Sequence, residues 1–365
     1  MLQICNLVVK QFDLAVVGPL GAASVLPQTV TVKCVPALPL DTFLFYAQAA
    51  AQQLYEQRIP DVILCGTAVT APIAAQLPIS DSIRLGCFLH GREIKACYMP
   101  KWINIMHVLK TFDLLIANSC YSRDLAISSG FNPHKTVVLN PGVGSLVDEL
   151  STSITLSSLM DEILGDNDPI LLYVGRLIAR KGLVEFVDRC LPRIVEVHPR
   201  TLLVIIGDEP KQSIFPEPEY MVRIKAAASK HNLLNKLLFL GNTRDNILRA
   251  VYLQSQMLVL PAIASPMDAE GFGMVALEAA YFGVPTTAFA VDGIPDAISH
   301  GISGYLVTPG NYDQFTNAIL RHLAGIGPIV KSQKCKEYAS NRSWDEYGKQ
   351  LCQILTDMVS NQRVR

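Results

Sequence analysis

The segment richest in candidate chemistry is Glu270-Gly-Phe-Gly-Met-Val-Ala-Leu-Glu278, which follows a buried apolar run and a nine-residue loop. Two glycines at the start of a helix let backbone N–H groups approach an anion, and the helix dipole favours negative charge there. Carboxylates also accept hydrogen bonds from hydroxyl groups. The segment therefore predicts a diphosphate at the helix start. Glu270 lies before the glycines and Glu278 two turns into the helix, so one carboxylate could reach sugar hydroxyls and the other a ribose.

The same residues match a competing motif. Gly271, Gly273 and Ala276 spell the dinucleotide-binding fingerprint, and Asp292 lies about 20 residues further on, where that motif places its ribose ligand. In the fingerprint the glycines follow a strand directly, whereas residues 261–269 intervene here. We therefore reject the dinucleotide interpretation.

A second group of candidate residues follows the apolar run 170–174. Gly175-Arg176 and Lys181-Gly182 place two cations at the predicted carboxyl end of a strand. The planar Arg fork and the mobile Lys charge suit the oxygens of a diphosphate. An isolated Arg-x4-Lys is more often a solvated surface pair. Its position before Gly207-Asp208 and the glutamate segment favours the phosphate site.

Composition limits the class of protein. Half of the 365 residues are hydrophobic and 17% are charged, which excludes disorder and favours sheets buried on both faces. The net charge of −1 provides no field to gather nucleic acid. The nine cysteines contain no Cys-x2-Cys pair, and no signal peptide or membrane-spanning run is recognised, so we expect a cytoplasmic or peripheral protein without a metal site.

Short apolar runs alternate with helical stretches, which predicts α/β architecture with parallel sheets. The predicted strands cover 14–17, 29–35, 61–65, 84–89, 114–118 and 136–139, then 170–174, 202–206, 236–240, 257–260, 285–289 and 304–307. The polar stretch 144–168 between the two series is interpreted as the inter-domain region. We predict one Rossmann-like domain over 1–150, a second over 166–340 and a closing helix over 341–365. Two such sheets facing each other would form a cleft that binds ligand at the strands' carboxyl ends.

The first sheet is expected to be incomplete. Residues 10–12 are too few to connect neighbouring parallel strands, so residues 2–9 are expected to end a helix. A doubly wound sheet begins with a strand and a turn before its first helix, and we expect that first βα unit to be absent.

These motifs resemble those of glycosyltransferase family 4, the retaining enzymes of the GT-B fold. The resemblance in the second half rests on Gly175-Arg176, Lys181-Gly182, Val204-Ile-Ile-Gly-Asp208, Phe239-Leu-Gly241, the Glu270 and Glu278 pair, Gly283-Val-Pro285 and Gly293-Ile-Pro-Asp296. In the first half it rests on Asp61-Val-Ile-Leu64, His90-Gly91, Asn118-Ser-Cys-Tyr-Ser122 and Asn140-Pro-Gly-Val143. The subgroup suggested contains the bacterial mannosyltransferases that act on phosphatidylinositol mannosides. The family's first strand and its Gly-Gly loop have no counterpart before Leu14.

The resemblance implies transfer of a hexosyl unit, such as mannosyl, from a nucleotide sugar to a hydroxyl of a lipid-linked or saccharide acceptor, without a cofactor or required metal. Arg176 and Lys181 would hold the diphosphate, Glu270 the donor sugar and Glu278 the ribose, while His90 would contact the donor sugar. The remaining donor-binding residues implied are Gly175, Gly207, Gly241, Gly271, Phe272, Gly273, Met274 and Val275.

Two other functions remain open at this stage. A catalytically impaired relic or partner subunit would keep the nucleotide domain and lack a complete acceptor domain. A sugar-nucleotide epimerase of the same fold would react without an acceptor. The segment 92–110 also mixes lysines with apolar residues, which suggests weak association with a membrane surface, although packing of a core helix is the simpler interpretation.

Overall fold

A computed structural model describes residues 1–37, 39–95, 100–144, 169–210 and 219–360. The chain divides into two compact units, Met1–Gly142 with Trp344–Arg365, and Val143–Ser343. The last described helix therefore belongs with the first unit. The predicted inter-domain stretch lies outside the described residues apart from Gly144.

The first unit contains parallel strands and the helices that connect them. Its strands are β1 (Ala15–Pro19), β2 (Thr31–Val35), β3 (Val62–Cys65), β4 (Arg84–Leu89), β5 (Leu114–Ala117) and β6 (Thr136–Val138). Its helices are α1 (Leu2–Val8), α2 (Ala22–Val25), α3 (Leu40–Gln57), α4 (Ala71–Ala75), α5 (Arg92–Lys95), α6 (Pro100–Leu109), α7 (Cys120–Ser128) and α16 (Trp344–Ser360). The helix expected at the start of the chain is confirmed as α1.

The strands of this unit form two sheets where the sequence predicted one. Strand β1 pairs with β2, and the order β3-β4-β5-β6 forms a separate four-stranded sheet. Among the described residues no strand is hydrogen-bonded to both β1 and β3. The residues before β1 form helix α1, whose Leu7 and Val8 belong to the same buried hydrophobic cluster as Ile116 of β5 and Leu351 of α16.

The second unit contains one six-stranded parallel sheet. Its strands are β7 (Ile170–Val174), β8 (Leu202–Ile206), β9 (Leu237–Gly241), β10 (Met257–Leu260), β11 (Thr286–Phe289) and β12 (Gly304–Val307), in the order β12-β11-β10-β7-β8-β9. Its helices are α8 (Leu183–Arg189), α9 (Leu191–Val197), α10 (Tyr220–Lys230), α11 (Asp245–Gln254), α12 (Met274–Tyr281), α13 (Ile294–Ala297), α14 (Tyr312–Leu323) and α15 (Ser332–Ser340).

The central strands of this sheet are buried, as their continuous apolar sequences predict for a sheet covered on both faces. All residues of β8 and β10 are buried, and so are the first four of β7. The neighbouring strands β10, β7, β8 and β9 are parallel, so the loops that follow them leave from one edge of the sheet. That edge carries the candidate site.

None of the described helices combines the length and the apolar character needed to cross a membrane. In α6, Met106 is buried and Ile105 packs against the core of the first unit, whereas Ile103 is exposed. These contacts favour core packing for this part of segment 92–110. Tyr98 and Met99, which contributed to the membrane-surface hypothesis, lie outside the described residues.

Candidate functional site

The loop after β7 is held by a buried tyrosine. Tyr173 has no exposed surface, and its hydroxyl donates a hydrogen bond of 2.9 Å to the carbonyl oxygen of Arg176. Burial raises the pKa of Tyr173 well above its usual value, so the hydroxyl keeps its proton and remains a donor. The Arg176 side chain is exposed, which leaves the guanidinium available to an anion from solution.

A close backbone approach brings this loop against the loop that follows β10. Gly182 has φ +70°, and a Cβ atom at this position would lie 1.9 Å from the carbonyl oxygen of Pro261. Nearby, the N–H of Ile263 donates to the carbonyl oxygen of Arg180 over 2.9 Å. Only glycine fits between the loops, and Arg180 and Lys181 consequently lie beside the chain that leads to Glu270.

Four charged side chains form a buried cluster at this junction, which we call the ion cluster: Asp268, Arg180, Glu270 and Lys181. Lys181 Nζ lies 2.6 Å from Glu270 Oε2, and Arg180 Nη1 lies 2.8 Å from the same oxygen. Arg180 Nε lies 3.1 Å from Asp268 Oδ2. The four side chains are between 6% and 13% exposed, so water screens their attraction little.

The Glu270 carboxyl group is ionised over the whole physiological range. Burial alone would raise its pKa, but the charges and hydrogen bonds of Lys181 and Arg180 outweigh burial and lower the pKa to about 2. Both cations bind Oε2, and Oε1 has no hydrogen-bond partner among the described residues. This second oxygen can therefore accept a hydrogen bond from a ligand.

The main chain of Glu270 is fixed as well. Its N–H donates to Asp292 Oδ2 over 3.0 Å, and its carbonyl oxygen accepts from the N–H of Gly293 over 2.9 Å. Asp292 is the residue that the rejected dinucleotide motif would place at a ribose. Here its carboxylate holds the loop that carries Glu270.

Gly273 begins helix α12 in a left-handed conformation. Its φ is +93°, a region that side chains rarely adopt. The N–H groups in the first turn of a helix have no carbonyl partner within the helix. The backbone amides of Met274 and Val275 accordingly lie where an anion is favoured. Phe272, predicted to bind the donor, is 2% exposed and packs in the hydrophobic core, so its side chain serves the fold.

Glu278 lies one turn further along α12 and interacts with a tyrosine of α11. The Tyr252 hydroxyl donates to Glu278 Oε2 over 3.1 Å. Burial raises the pKa of Glu278, against the Tyr252 hydrogen bond, which lowers it, and Asp245 adds to the rise. The two predicted carboxylates thus differ, since strong cations stabilise charge on Glu270 and a single hydroxyl does so on Glu278.

Three glycines predicted at the site lie on neighbouring strands. Gly175 follows β7, Gly207 follows β8 and Gly241 ends β9. The N–H of Gly175 donates to the carbonyl oxygen of Ile206 over 3.0 Å, and the N–H of Gly207 donates to the carbonyl oxygen of Gly241 over 2.8 Å. The carboxyl ends of these strands therefore form one continuous edge.

His90 lies in the first unit, directly after β4. Its side chain is exposed, and Nε2 lies 3.1 Å from the carbonyl oxygen of Gly66. Its N–H donates over 2.5 Å to the buried carboxylate of Glu93. The structure thus brings Lys181 and Glu270 together in one unit, whereas the role of His90 at the donor sugar stays a prediction.

The residues that match a known sequence family lie in the second unit. The sequence model for glycosyl transferases group 1 matches residues 160–342, half of the chain. The chain belongs to this family. It is a glycosyltransferase, as the resemblance implied.

Named relatives agree with this assignment. The chain is 26% identical over 306 residues to an uncharacterized glycosyltransferase of Methanocaldococcus jannaschii, covering 80% of this chain and 74% of the relative. It is also 26% identical over 300 residues to the GDP-mannose-dependent α-(1-6)-phosphatidylinositol monomannoside mannosyltransferase of Mycolicibacterium smegmatis, covering 78% and 74% of the two chains.

Solved structures show the fold of the glycosyltransferase. The HepE protein of Anabaena, crystallised with UDP and glucose, matches with a TM-score of 0.75 and 21% identity, covering 97% of this chain and 95% of HepE. Sucrose-phosphate synthase of Thermosynechococcus elongatus matches with a TM-score of 0.78 and 19% identity, covering 98% and 92%. The prediction of a GT-B fold with parallel sheets in two α/β domains is confirmed.

The sequence patterns did not indicate three residues of the candidate site. Arg180 and Asp268 complete the ion cluster, and Tyr252 binds Glu278. Arg180 precedes the predicted Lys181, so the motif contained a signal for it. The contacts of Asp268 and Tyr252 depend on how the loop after β10 and helix α11 pack, which their local sequence does not indicate. Among the residues that the structure describes, no three His, Cys, Asp or Glu side chains converge as metal ligands would.

Proposed function

We propose that this glycosyltransferase moves a hexosyl unit from a nucleoside-diphosphate sugar to a hydroxyl of a glycolipid or polysaccharide acceptor, with retention of anomeric configuration. The observation that carries the proposal is the contact between Lys181 and Glu270. A cation for the leaving diphosphate and a carboxylate for the sugar lie side by side at the edge where parallel sheets bind ligands.

Each group at the site has a role in the proposal. The exposed Arg176 and the two remaining donor hydrogens of Lys181 hold the diphosphate, with the amides of Met274 and Val275 beside them. Glu270 Oε1 accepts from the donor sugar's hydroxyls, and Glu278 accepts from the ribose. Family resemblance adds His90 as a further ligand of the donor sugar.

In the proposed chemistry, the acceptor oxygen attacks the anomeric carbon from the same face from which the diphosphate departs. The bond between the anomeric carbon and the diphosphate oxygen breaks as the acceptor oxygen bonds to that carbon. The acceptor proton passes to the departing phosphate oxygen. Fixed cations stabilise the charge that develops on the diphosphate, which is electrostatic catalysis without a required metal.

The relatives suggest which substrates to try first. The mycobacterial relative is named for GDP-mannose and a phosphatidylinositol mannoside, and HepE was crystallised with UDP and glucose. A lipid acceptor would be met at a membrane surface, so we further propose a cytoplasmic protein that associates weakly with the inner face of the cell membrane.

The experiment that tests the function has two stages. Calorimetry with GDP, UDP and ADP identifies the base, and the matching hexose donor is then incubated with phosphatidylinositol mannosides or polysaccharide primers. We expect a glycosylated product whose anomeric configuration, read by NMR, equals that of the donor. Lys181→Met is the matched inactive control. Inversion would overturn retention, and nucleotide binding without any transfer or donor cleavage would favour the impaired relic.

Metal independence is tested separately. Because Arg176 and Lys181 are proposed to neutralise the diphosphate, excess EDTA should leave the turnover number within about twofold of its value in Mg²⁺. A loss restored by adding Mg²⁺ or Mn²⁺ would contradict the proposal.

A further inference from the structure

Arg180 is a buried cation of the site, and the proposed reaction leaves it without a role. Its side chain is 6% exposed, compared with 9% for Lys181, while Arg176 is exposed to solvent. A guanidinium is not placed in such an environment without carboxylates around it. Arg180 has two, Asp268 and Glu270.

The contacts of Arg180 come from both its side chain and its main chain. Nε binds Asp268 Oδ2 at 3.1 Å, Nη1 binds Glu270 Oε2 at 2.8 Å, and the carbonyl oxygen accepts from Ile263 at 2.9 Å. The guanidinium is planar and rigid, so two bonds from it fix the direction of each partner. Asp268 precedes Glu270 by two residues in the same loop, and Arg180 therefore holds that loop at two points.

The charge balance of the ion cluster shows what Arg180 does for its neighbour. Asp268 and Glu270 contribute two negative charges, and Arg180 and Lys181 two positive charges. Without Arg180, the Lys181 ammonium alone would have to compensate Glu270. Arg180 shares Glu270 Oε2 with Lys181, and Asp268 balances its charge, so Arg180 holds the Glu270 carboxylate without adding net charge to the ion cluster.

We propose that Arg180, anchored by Asp268, is a positioning residue that orients the Glu270 carboxylate toward the donor sugar. Arg180 itself does not touch the substrate. The inference rests on the proposed function, because it assigns a role to a neighbour of the groups that bind the donor.

The surroundings of Glu270 support this role. The charged and titratable groups that act on Glu270 or on its cation partners are Lys181, Arg180, Arg176, Asp268, Tyr173 and Asp292. Of these, Lys181 and Arg180 lower the Glu270 pKa, which stands at about 2. Removing the Arg180 charge raises this pKa, so the ionised carboxylate is lost at a higher pH than in the wild type.

The test uses a variant that keeps the cluster neutral. Arg180→Met with Asp268→Asn removes one charge of each sign, whereas Arg180→Met alone leaves a buried carboxylate uncompensated and endangers the fold. Donor cleavage is followed with GDP-mannose and UDP-glucose, and binding of GDP and UDP by calorimetry. We expect kcat to fall about 100-fold, as a displaced catalytic group does, with KM for the donor and Kd for the nucleotide within twofold.

Two further readouts separate positioning from a structural role. The acid limb of the kcat profile should move to higher pH in the paired variant. Arg180→Lys, which keeps the charge but binds one carboxylate, should restore part of kcat. Arg84→Met, which removes an arginine paired with Asp113 in the other unit, is the control and should leave the profile unchanged.

Several outcomes overturn the inference. A Kd for GDP and UDP that weakens as much as in Lys181→Met, with kcat unchanged, would make Arg180 a phosphate ligand. A folded paired variant with wild-type kcat and pH profile would leave Arg180 without a positioning role. If the wild-type protein binds none of GDP, UDP and ADP and cleaves none of the matching hexose donors, the proposed function fails, which is a different result from either of these.

Discussion

The ammonium of Lys181 lies 2.6 Å from the Glu270 carboxylate, although the two residues are 89 positions apart in the chain. One residue follows β7 and the other follows β10, and these strands are neighbours in the sheet. Gly182 permits the two loops to approach, because any side chain there would collide with Pro261. The contact therefore depends on sheet order and on a glycine as much as on the two charged residues.

The Lys181 and Glu270 pair should act as a unit in catalysis. Lys181→Met and Glu270→Gln are each expected to lower kcat by about 100-fold or more, because each variant disorders the partner that remains. The double variant should be little worse than either single one, since groups that act together are not additive. Steady-state donor cleavage by the three variants measures this coupling.

A surface ion pair provides the control for the comparison of the Lys181 and Glu270 single and double variants. Lys230 Nζ lies 2.8 Å from Asp188 Oδ1, but its side chain is 65% exposed and the pair lies between α8 and α10. Lys230→Met should leave kcat unchanged. Fully additive losses for Lys181 and Glu270 would show that the two groups work independently.

Replacing each of the two glutamates of the motif should change the pH dependence of the unfolding free energy, and the two changes should have opposite signs. The folded pKa of Glu270 is lowered to about 2, so the stability contributed by its ionised form is present above the unfolded pKa of about 4.3 and is lost as pH falls toward 2. Between about pH 6 and about pH 4, this loss amounts to about 0.6 kcal/mol. Glu270→Gln lacks this loss, so the difference in unfolding free energy between the variant and the wild type becomes smaller at low pH.

Glu278 gives the opposite sign because its folded pKa is raised. A raised carboxyl pKa contributes stability below the unfolded pKa that is lost as pH rises through the folded value. Glu278→Gln should therefore gain stability relative to the wild type as pH rises. Urea unfolding of both variants over this range makes the comparison. Parallel pH profiles for the two variants would contradict the assignments.

The Tyr252 hydroxyl should matter for nucleotide binding without touching the nucleotide. In Tyr252→Phe the buried Glu278 loses its 3.1 Å hydrogen bond, so its pKa rises further and its carboxylate is less fixed. A hydrogen bond to a charged group contributes about 1.5 kcal/mol or more, and we expect Kd for UDP or GDP to weaken about tenfold.

Ribose analogues show whether this effect passes through Glu278. A 2′,3′-dideoxynucleoside diphosphate lacks the hydroxyls that Glu278 is proposed to bind, so wild type and Tyr252→Phe should bind it equally. Tyr305→Phe, which removes a hydroxyl 3.1 Å from His322 in the same unit, is the control and should not affect either ligand. An equal loss of affinity for the dideoxy ligand would place the effect elsewhere.

Most of the fold could be predicted because parallel strands leave clear sequence signals. β4, β7, β8, β10 and β12 begin and end at the predicted residues, since their apolar runs are bounded by polar or turn residues. The division of the first unit into two sheets was not predicted. Hydrogen bonding between strands depends on which strands become neighbours, and short apolar runs do not specify their neighbours.

The site was predictable to the extent that its residues lie in local motifs. Glu270, Lys181 and the glycine at the start of α12 combine residue type with position after a strand, which indicates anion binding. Phe272 lies in the same motif, yet its side chain turns into the core, because a motif does not state which way each side chain points. Asp268 and Tyr252 acquire their roles through packing.

Gly182→Ala should damage both stability and activity, because the two loops could no longer meet. The added Cβ would lie 1.9 Å from a backbone oxygen of Pro261, and alanine also disfavours a φ of +70°. Because the obstacle is backbone, the loops must separate, at a cost of about 2 kcal/mol or more in unfolding free energy. Separation would stretch the 2.6 Å contact between Lys181 and Glu270, so kcat should fall even where the variant remains folded. Thermal unfolding and donor cleavage measure the two effects.

Gly310→Ala, where φ is +77° but no atom lies within 4 Å of the added Cβ, separates backbone strain from collision. Equal losses of stability and activity in both variants would show that the close approach to Pro261 is not what assembles the site.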